Sequence, residues 1–517
     1  MNQISQKTKF FQSDYTILLT MSLFMLLIHL YTNAFASYGY FRDELYYIAC
    51  SNRLGLGYVD QPPLSIYVLA LSRWLFGNSL FAIRLFPAIA SSVTVFITGL
   101  MVRRLGGGKL AIAIACLAVI AAPIFLAMNT VYSMNCFDML LWALASCLVI
   151  LIVKDSNPRI WIFLGIVLGL GLLNKIGFLW FGLGLFGGLL LTRNRKHLLT
   201  IWPYTTALIA LAIFSPFIIW NFNHDFAHLE FIRNAVTLKY SSLTRLDFIF
   251  GQVQLLNPAT ILIWLAGLYY YFFHKKGKLY RILGIIYLTA FVILLINGHS
   301  KAEYLAPAYP LLFAAGSIVI ENITRLRYWR WLKYAVVIPL IITGILIAPV
   351  VLPILPVETY IRYADVLGIA PHTSENKNLA KLPQYYADMF GWETMAETVS
   401  KVYQSLPAED QASTVILAQN YGEAGALEFY SKKYHLPRVI SPHNSYWIWG
   451  YGNKEFQKII VLGDWDGNLR KLFKQVRQVA LHTCVYCMPY ENNLPIFICE
   501  KLRWPIKFIW KQIKNYS

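Results

Sequence analysis

Long apolar runs separated by short polar stretches dominate this chain. About 20 consecutive apolar residues are enough for a helix to cross the hydrocarbon core of a bilayer. Eleven such runs occur, over 15–35, 80–101, 110–128, 136–153, 160–174, 176–192, 199–220, 257–273, 280–298, 304–322 and 334–355. The shorter stretch 64–77 is amphipathic and carries Arg73, which predicts a helix lying in the interface. The pattern changes after about residue 356. Gly391–Leu406 and Gly422–Tyr434 repeat apolar positions at helical spacing, whereas Ser413–Gln419, Lys458–Gly463 and Pro495–Lys501 read as short buried strands. The expectation is a polytopic α-helical membrane protein with about eleven transmembrane helices over 1–355, including an outer loop at 36–79. A small α/β domain follows at 356–503, and a basic, aromatic amphipathic tail at 504–517.

Composition agrees with this pattern. Of the 517 residues, 57% are hydrophobic and only 14% charged, against roughly 25% charged in soluble domains. The formal net charge of +19 invites a nucleic-acid partner, but the placement of the basic residues excludes one. They fall in short clusters between apolar runs, as the positive-inside rule requires of cytoplasmic loops. Alternating sides from Lys7 and Lys9 puts five clusters on that same side: Arg103–Lys109, Lys154–Arg159, Arg193–Lys196, Lys275–Lys278 and Arg325–Lys333. The same count places 36–79, the loop around Asn129–Asp138, 221–256, Gly298–Ala302 and the C-terminal region outside. Ala34-Phe35-Ala36 matches a signal-peptidase site, but an uncleaved first span fits better, because it anchors the loop that follows.

That loop opens with Tyr38-Gly-Tyr-Phe-Arg42-Asp43-Glu44-Leu-Tyr-Tyr. Carboxylates in a membrane-embedded chain are costly and usually functional. Moving a sugar from a lipid phosphate to a hydroxyl requires a base near the acceptor oxygen. It also requires cations or donors at the leaving phosphate. Asp43 and Glu44 suit the first role; a solvated pair or acids in the first turn of a helix is the alternative. Asp60 and Gln61 precede Pro62-Pro63, which stiffen a turn. Asn135 and Asp138 begin the fourth span, where Asp138 either caps the helix or faces a cleft. Lys175 stands between two tightly joined spans, where a lysine either snorkels to the interface or meets substrate. His299, Lys301 and Tyr304 lie at the mouth of the tenth span, and a lysine there is suited to a lipid phosphate.

Gly182-Leu-Gly184-Leu-Phe-Gly187 has dinucleotide-fingerprint spacing, but it lies inside an apolar run with no strand before it. Small-residue helix packing accounts for it and for Gly165 and Gly169. Cys50, Cys116, Cys136 and Cys147 lie in or beside apolar segments as packing residues. Cys484-Val-Tyr-Cys487, with Cys499 and His482 nearby, is open to a disulfide, a zinc site or free thiols.

Arg-Asp-Glu after a first span, a Gln-Pro-Pro turn, Ala-Ile-Arg-Leu-Phe-Pro at 82–87, Asn-Lys at 174–175 and Tyr-Leu-Ala-Pro-Ala-Tyr-Pro at 304–310 occur in that order. Over roughly residues 36–320 the chain resembles bacterial membrane glycosyltransferases of GT-C fold, related to protein O-mannosyltransferases and the lipid A aminoarabinose transferases. Asn420-Tyr-Gly-Glu-Ala-Gly-Ala and Cys487-Met-Pro-Tyr-Glu-Asn resemble the tails of bacterial members. The resemblance implies a polyprenyl-phosphate sugar donor, a lipid, protein or glycan acceptor, and inverting transfer on the outer face of the bacterial inner membrane, among membrane lipids. It implies Asp43 as base or acceptor-positioning carboxylate beside Glu44, and Asp60 as the acid before the Pro-Pro turn. Aminoarabinose transferases carry lysine where this chain has Gln61, so Arg42, Lys175 or Lys301 takes the phosphate role. A divalent metal is compatible with the resemblance. Three rivals remain: a transporter or flippase of lipid-linked sugars, a non-catalytic assembly or receptor protein, and a polymerase of lipid-linked oligosaccharides. No inverted repeat and no acid deep within a span point to the first of them.

Overall fold

The structure is a computed structural model describing residues 2–155, 157–239, 243–298, 300–373, 375–452 and 456–517, with side chains described from residue 14 onward, 466 excepted. The chain forms two compact units. The first gathers 1–36, 76–219 and 242–355, and the second gathers 37–75, 220–241 and 356–517.

The first unit is helical and makes this a multi-span membrane protein. Among the described residues seven helices are long and apolar enough to cross a membrane, and ten if each bent pair counts as one span. The eleven apolar runs all coincide with helices, but several are not simple rods. The run at 110–128 bends by 56° between Lys109–Ile120 and Pro123–Thr130, because Pro123 has no N–H to continue the first ladder. The segment before Pro258 is a separate helix, Arg245–Leu255, turned by 89° from Pro258–Phe272. Arg159–Asn174 has only 16 residues.

Small residues bring these helices together, as expected where lipid supplies no hydrophobic drive for association. A Cβ on Gly184 would lie 2.6 Å from the Cα of Ile286, and one on Gly165 2.9 Å from the Thr206 carbonyl oxygen. Helix Ile261–Phe272 crosses helix Tyr309–Thr324 at two glycines: Gly316 sits on the carbonyl of Ile263, and Gly267 on that of Leu312. The first span is tied to Leu80–Leu105 by reciprocal hydrogen bonds between Ser22 and Ser92, each 2.8 Å.

The second unit is built on a five-stranded sheet: β1 (Thr414–Leu417), β2 (Val439–Ile440), β3 (Lys458–Leu462), β4 (Phe473–His482) and β5 (Leu494–Leu502). The order is β2-β1-β3-β5-β4. β1 runs parallel to β2 and β3, while β5 is antiparallel to β3 and β4. Helix Tyr421–Tyr434 forms the crossover from β1 to β2, as a parallel pair requires. Val415, Leu417, Ile440, Ile459, Val461 and Cys499 form the core. β4 mixes polar and apolar residues evenly, and most are at least partly exposed, so it lacks the apolar run that marks β1, β3 and β5.

Two sequence boundaries change. The loop 36–79 is not an appendage of the helical unit: 37–75 belongs to the second unit, and its helix Arg42–Ser51 packs on Tyr421–Tyr434. A Cβ on Gly425 would lie 2.8 Å from the backbone carbonyl carbon of Leu45, so only glycine permits this approach. The basic tail is not separate either. Helix Ile506–Gln512 places Trp510 in the core, where its indole and that of Trp447 each donate to the other's backbone carbonyl.

Gly316→Ala should destabilise the helical unit by about 1–3 kcal/mol, because its methyl group meets backbone that has no room to relax. Gly182→Ala, with open space around the added carbon, should leave stability unchanged or slightly raised. Thermal unfolding of both variants in detergent checks the contrast, and equal midpoints would refute the close-crossing account.

Candidate functional site

The sequence-predicted residues separate into one group in each unit. In the second unit they gather at the start of helix Arg42–Ser51. Phe41 precedes that helix in extended conformation, and Glu44 folds back so that its carboxylate accepts the Phe41 N–H at 2.9 Å. This is the backward half of a capping box. Glu44 is fully buried, and its carboxylate caps the first turn of the helix. Of the Asp-Glu pair, Asp43 is the one that faces out, with 34% of its side chain exposed.

Asp43 is held from two sides. Its Oδ1 accepts the Tyr421 hydroxyl at 2.9 Å and lies 3.4 Å from Arg42 Nε. Burial pushes the Tyr421 phenol well above its ordinary range, so it keeps its proton and serves Asp43 as a donor. Arg42 is buried and spent on internal partners. Its Nη2 lies 3.2 Å from Glu375, and its Nη1 3.5 Å from Asp388 and 3.1 Å from the Tyr490 hydroxyl. Burial opposes its charge, but Asp388, Tyr421 and Glu375 outweigh that and raise its pKa. All three guanidinium nitrogens of Arg42 are thus engaged by acidic side chains of the same unit.

Asp60 stands behind this group. Its Oδ1 accepts the Tyr46 hydroxyl at 2.8 Å, and that hydroxyl also lies 2.8 Å from Ser445 Oγ. Burial raises the Asp60 pKa to about 6, against the hydrogen bond from Tyr46, with smaller and opposed contributions from Asp43 and Lys239. The turn that carries Asp60 is fixed by His228, whose Nδ1 lies 2.9 Å from the Val59 carbonyl oxygen. Gln61 is fully buried, and neither amide atom has a hydrogen-bond partner among the described residues.

Several members of this group were not singled out in the sequence. Lys239 reaches Glu375 at 3.8 Å and stands 5.4 Å from the centre of the Tyr421 ring. Asn420 donates to Glu423 at 2.8 Å and to Glu491 at 3.1 Å. Burial raises the pKa of both acids, that of Glu491 to about 7. Tyr421 and Glu423 lie in the Asn420-Tyr-Gly-Glu-Ala-Gly-Ala motif, and Tyr490 and Glu491 in Cys487-Met-Pro-Tyr-Glu-Asn. Those two motifs were the available signal. Glu375 and Asp388 have none, because each is an isolated acid in a polar stretch.

The first unit brings together Asn135, Asp138, Lys175 and Tyr304. Lys175 Nζ donates to Asn135 Oδ1 at 2.7 Å, lies 3.7 Å from Asp138 Oδ2 and sits 5.0 Å from the centre of the Tyr304 ring. Lys175 ends helix Arg159–Asn174 in extended conformation, and Asn174 anchors the turn by donating to the Met134 carbonyl at 2.8 Å. Asp138 is buried and thus faces protein rather than lipid. Lys301 is half-buried just before the 3-10 helix Ala302–Ala308. His299 lies outside the described residues.

All seven cysteines are free thiols in the structure. Cys487 Sγ lies 3.2 Å from the Cys484 carbonyl oxygen, and Cys499 is enclosed in the sheet core. Among the described residues no three His, Cys, Asp or Glu side chains are grouped to hold a metal ion.

Residues 60–220 match the family model described as dolichyl-phosphate-mannose-protein mannosyltransferase. Over 131 residues the chain is 29% identical to the undecaprenyl phosphate-alpha-4-amino-4-deoxy-L-arabinose arabinosyl transferase of Pseudomonas aeruginosa. That match covers 24% of this chain and 24% of the relative, so it spans about a quarter of either protein. The fold is similar to that of ArnT from Cupriavidus metallidurans. The form bound to undecaprenyl phosphate gives a TM-score of 0.59 at 14% identity, over 94% of this chain and 97% of that one. The apo form gives 0.60 with the same identity and coverage. The Archaeoglobus fulgidus oligosaccharyltransferase in complex with zinc and sulfate gives 0.50 at 13% identity, over 87% of this chain and 68% of that one.

Burial raises the Asp388 pKa to about 7, against the partial relief supplied by Arg42. A carboxyl raised on folding binds its proton more tightly in the folded state. Its contribution is complete below the unfolded pKa of about 4 and is lost as pH rises through about 7. His228 and His443, lowered by burial to about 4 and about 3, act in the opposite sense below pH 6.5, so the comparison must be made against Asp388→Asn. Wild type should lose stability relative to that variant between pH 5 and pH 8. Parallel melting curves across that range would contradict a buried, proton-holding Asp388.

Proposed function

We propose that this chain, which has the GT-C fold of membrane glycosyltransferases, moves a sugar from a polyprenyl-phosphate donor to an acceptor at the outer face of the bacterial inner membrane. The observation that carries this reading is Asp43: a half-exposed carboxylate at a helix start, aimed by a protonated phenol and a buried guanidinium. A carboxylate fixed in this way accepts a hydrogen bond from a nucleophile and takes its proton as the nucleophile attacks.

In the proposed reaction an acceptor hydroxyl donates to Asp43. Its oxygen forms a bond to the anomeric carbon of the sugar as the bond from that carbon to the phosphate oxygen breaks. The proton passes to Asp43, polyprenyl phosphate departs, and attack opposite the leaving group inverts the configuration. Lipid, protein and glycan acceptors all satisfy this chemistry. Within the helical unit, Lys175, held by Asn135 and Asp138 and backed by the Tyr304 ring, is a compact positive charge that we assign to binding a lipid phosphate. Lys301 is assigned a second contact of the same kind. Asp60 orients the acceptor side through Tyr46, and uncharged Gln61 makes no phosphate pairing.

Protein reconstituted in lipid with radiolabelled polyprenyl-phosphate sugars and an envelope extract tests this directly. Wild type should transfer label to a new product, whereas Asp43→Asn should lose at least about a hundredfold in rate while retaining donor and its melting temperature. A variant with wild-type rates would remove Asp43 from the chemistry. Lys175→Ala should raise the apparent donor KM by about tenfold or more, the worth of one charge-assisted contact. An unchanged KM would take Lys175 away from the phosphate.

A further inference from the structure

We propose that a basic pocket in the helical unit binds an anionic phospholipid whose headgroup carries two phosphodiesters. This inference stands independently of the glycosyl-transfer reading, because it concerns the face of the membrane carrying the basic loops. The pocket measures about 660 Å³, within the size range of small-ligand sites. It is formed where helix Leu179–Leu191 ends in the 3-10 segment Arg193–Leu199, beside the 3-10 turn Gly277–Tyr280 that leads into helix Arg281–Asn297.

Arg193, Arg195, Lys275, Lys278 and Arg281 line it, and no acidic residue does among the described residues. The positive-inside rule explains cations in such loops, but it does not gather five of them around one concavity. The two helices that carry them are locked in register. A Cβ on Gly184 would meet the backbone of Ile286, and one on Gly188 would lie 3.2 Å from the Cα of Ile282, next to Arg281. Arg281 is partly preorganised: its Nη2 donates to the Phe272 carbonyl at 3.1 Å, while its buried Nε has no acceptor among the described residues. A guanidinium already fixed on one edge loses less freedom when its remaining donors meet a phosphate oxygen.

The remaining wall decides between a lipid and a free phosphate compound. Leu190, Leu191 and Leu279 line the same pocket, and all three are exposed. Cations beside exposed leucines at a helix end match a headgroup with its acyl chains, and basic pockets between transmembrane helices are suited to such lipids. Five positive charges exceed the need of a single phosphodiester, which favours a headgroup with two.

Native mass spectrometry of the delipidated full chain, titrated with diphosphatidylglycerol, phosphatidylglycerol or phosphatidylcholine, tests the proposal. Wild type should retain diphosphatidylglycerol most tightly and phosphatidylcholine least. Lys275→Gln/Lys278→Gln, which alters only exposed side chains, should weaken the diphosphatidylglycerol complex on the order of 30-fold, about fivefold per cation. Arg327→Gln/Lys333→Gln, which removes two basic-loop charges outside the pocket, should leave it within about twofold. Equal losses in the two double variants would reduce the effect to diffuse charge and overturn the pocket. Equal retention of phosphatidylcholine would do the same, and displacement of the lipid by inorganic pyrophosphate at equal phosphate concentration would overturn the lipid assignment.

Discussion

A guanidinium buried among carboxylates is the constraint on which the candidate site depends. Arg42 opens a helix, and its guanidinium is held by Glu375 and Asp388, residues more than 300 positions away in sequence. Removing one partner of such a cluster leaves an uncompensated buried charge, which is far more costly than the net worth of the pair. The arrangement therefore fixes the helix start more than it adds stability. Asp43, the next residue, inherits that fixed position and becomes the one carboxylate of the Arg-Asp-Glu run that is both exposed and aimed.

Glycines make the arrangement possible. Gly422 and Gly425 let helix Tyr421–Tyr434 approach helix Arg42–Ser51, with Gly422 against the Arg42 side chain and Gly425 against the backbone of Leu45. The same approach brings the Tyr421 hydroxyl to Asp43. The residue assigned the chemistry and the helix that orients it are thus placed by packing that a single methyl group would obstruct.

Much of this was legible in the sequence. Apolar runs gave the helices, and the side count placed 36–79, the loop from 221 and the C-terminal region together; segments of all three fall in the second unit. Lys175, Asn135, Asp138 and Tyr304 were each identified singly, and the structure gathers them around one ammonium group. What the sequence does not show has a common physical origin. Sequence shows that Glu44 and Arg42 are charged, but not that one turns back to cap its own helix or that the other is consumed by distant acids. β4 escaped because an edge strand need not be apolar, and Glu375 and Asp388 because tertiary pairing leaves no local pattern.

The account makes Arg42 a positioning residue, whereas the motif alone would make it a ligand of the donor phosphate. Steady-state transfer by Arg42→Lys separates the two roles. The account predicts a kcat lowered by about 10- to 100-fold with donor KM nearly unchanged, because a lysine keeps the charge but cannot span Asp388, Glu375 and Tyr490 together, and Asp43 drifts from its aim. A raised donor KM with kcat preserved would show that Arg42 grips the donor itself, and would contradict the account.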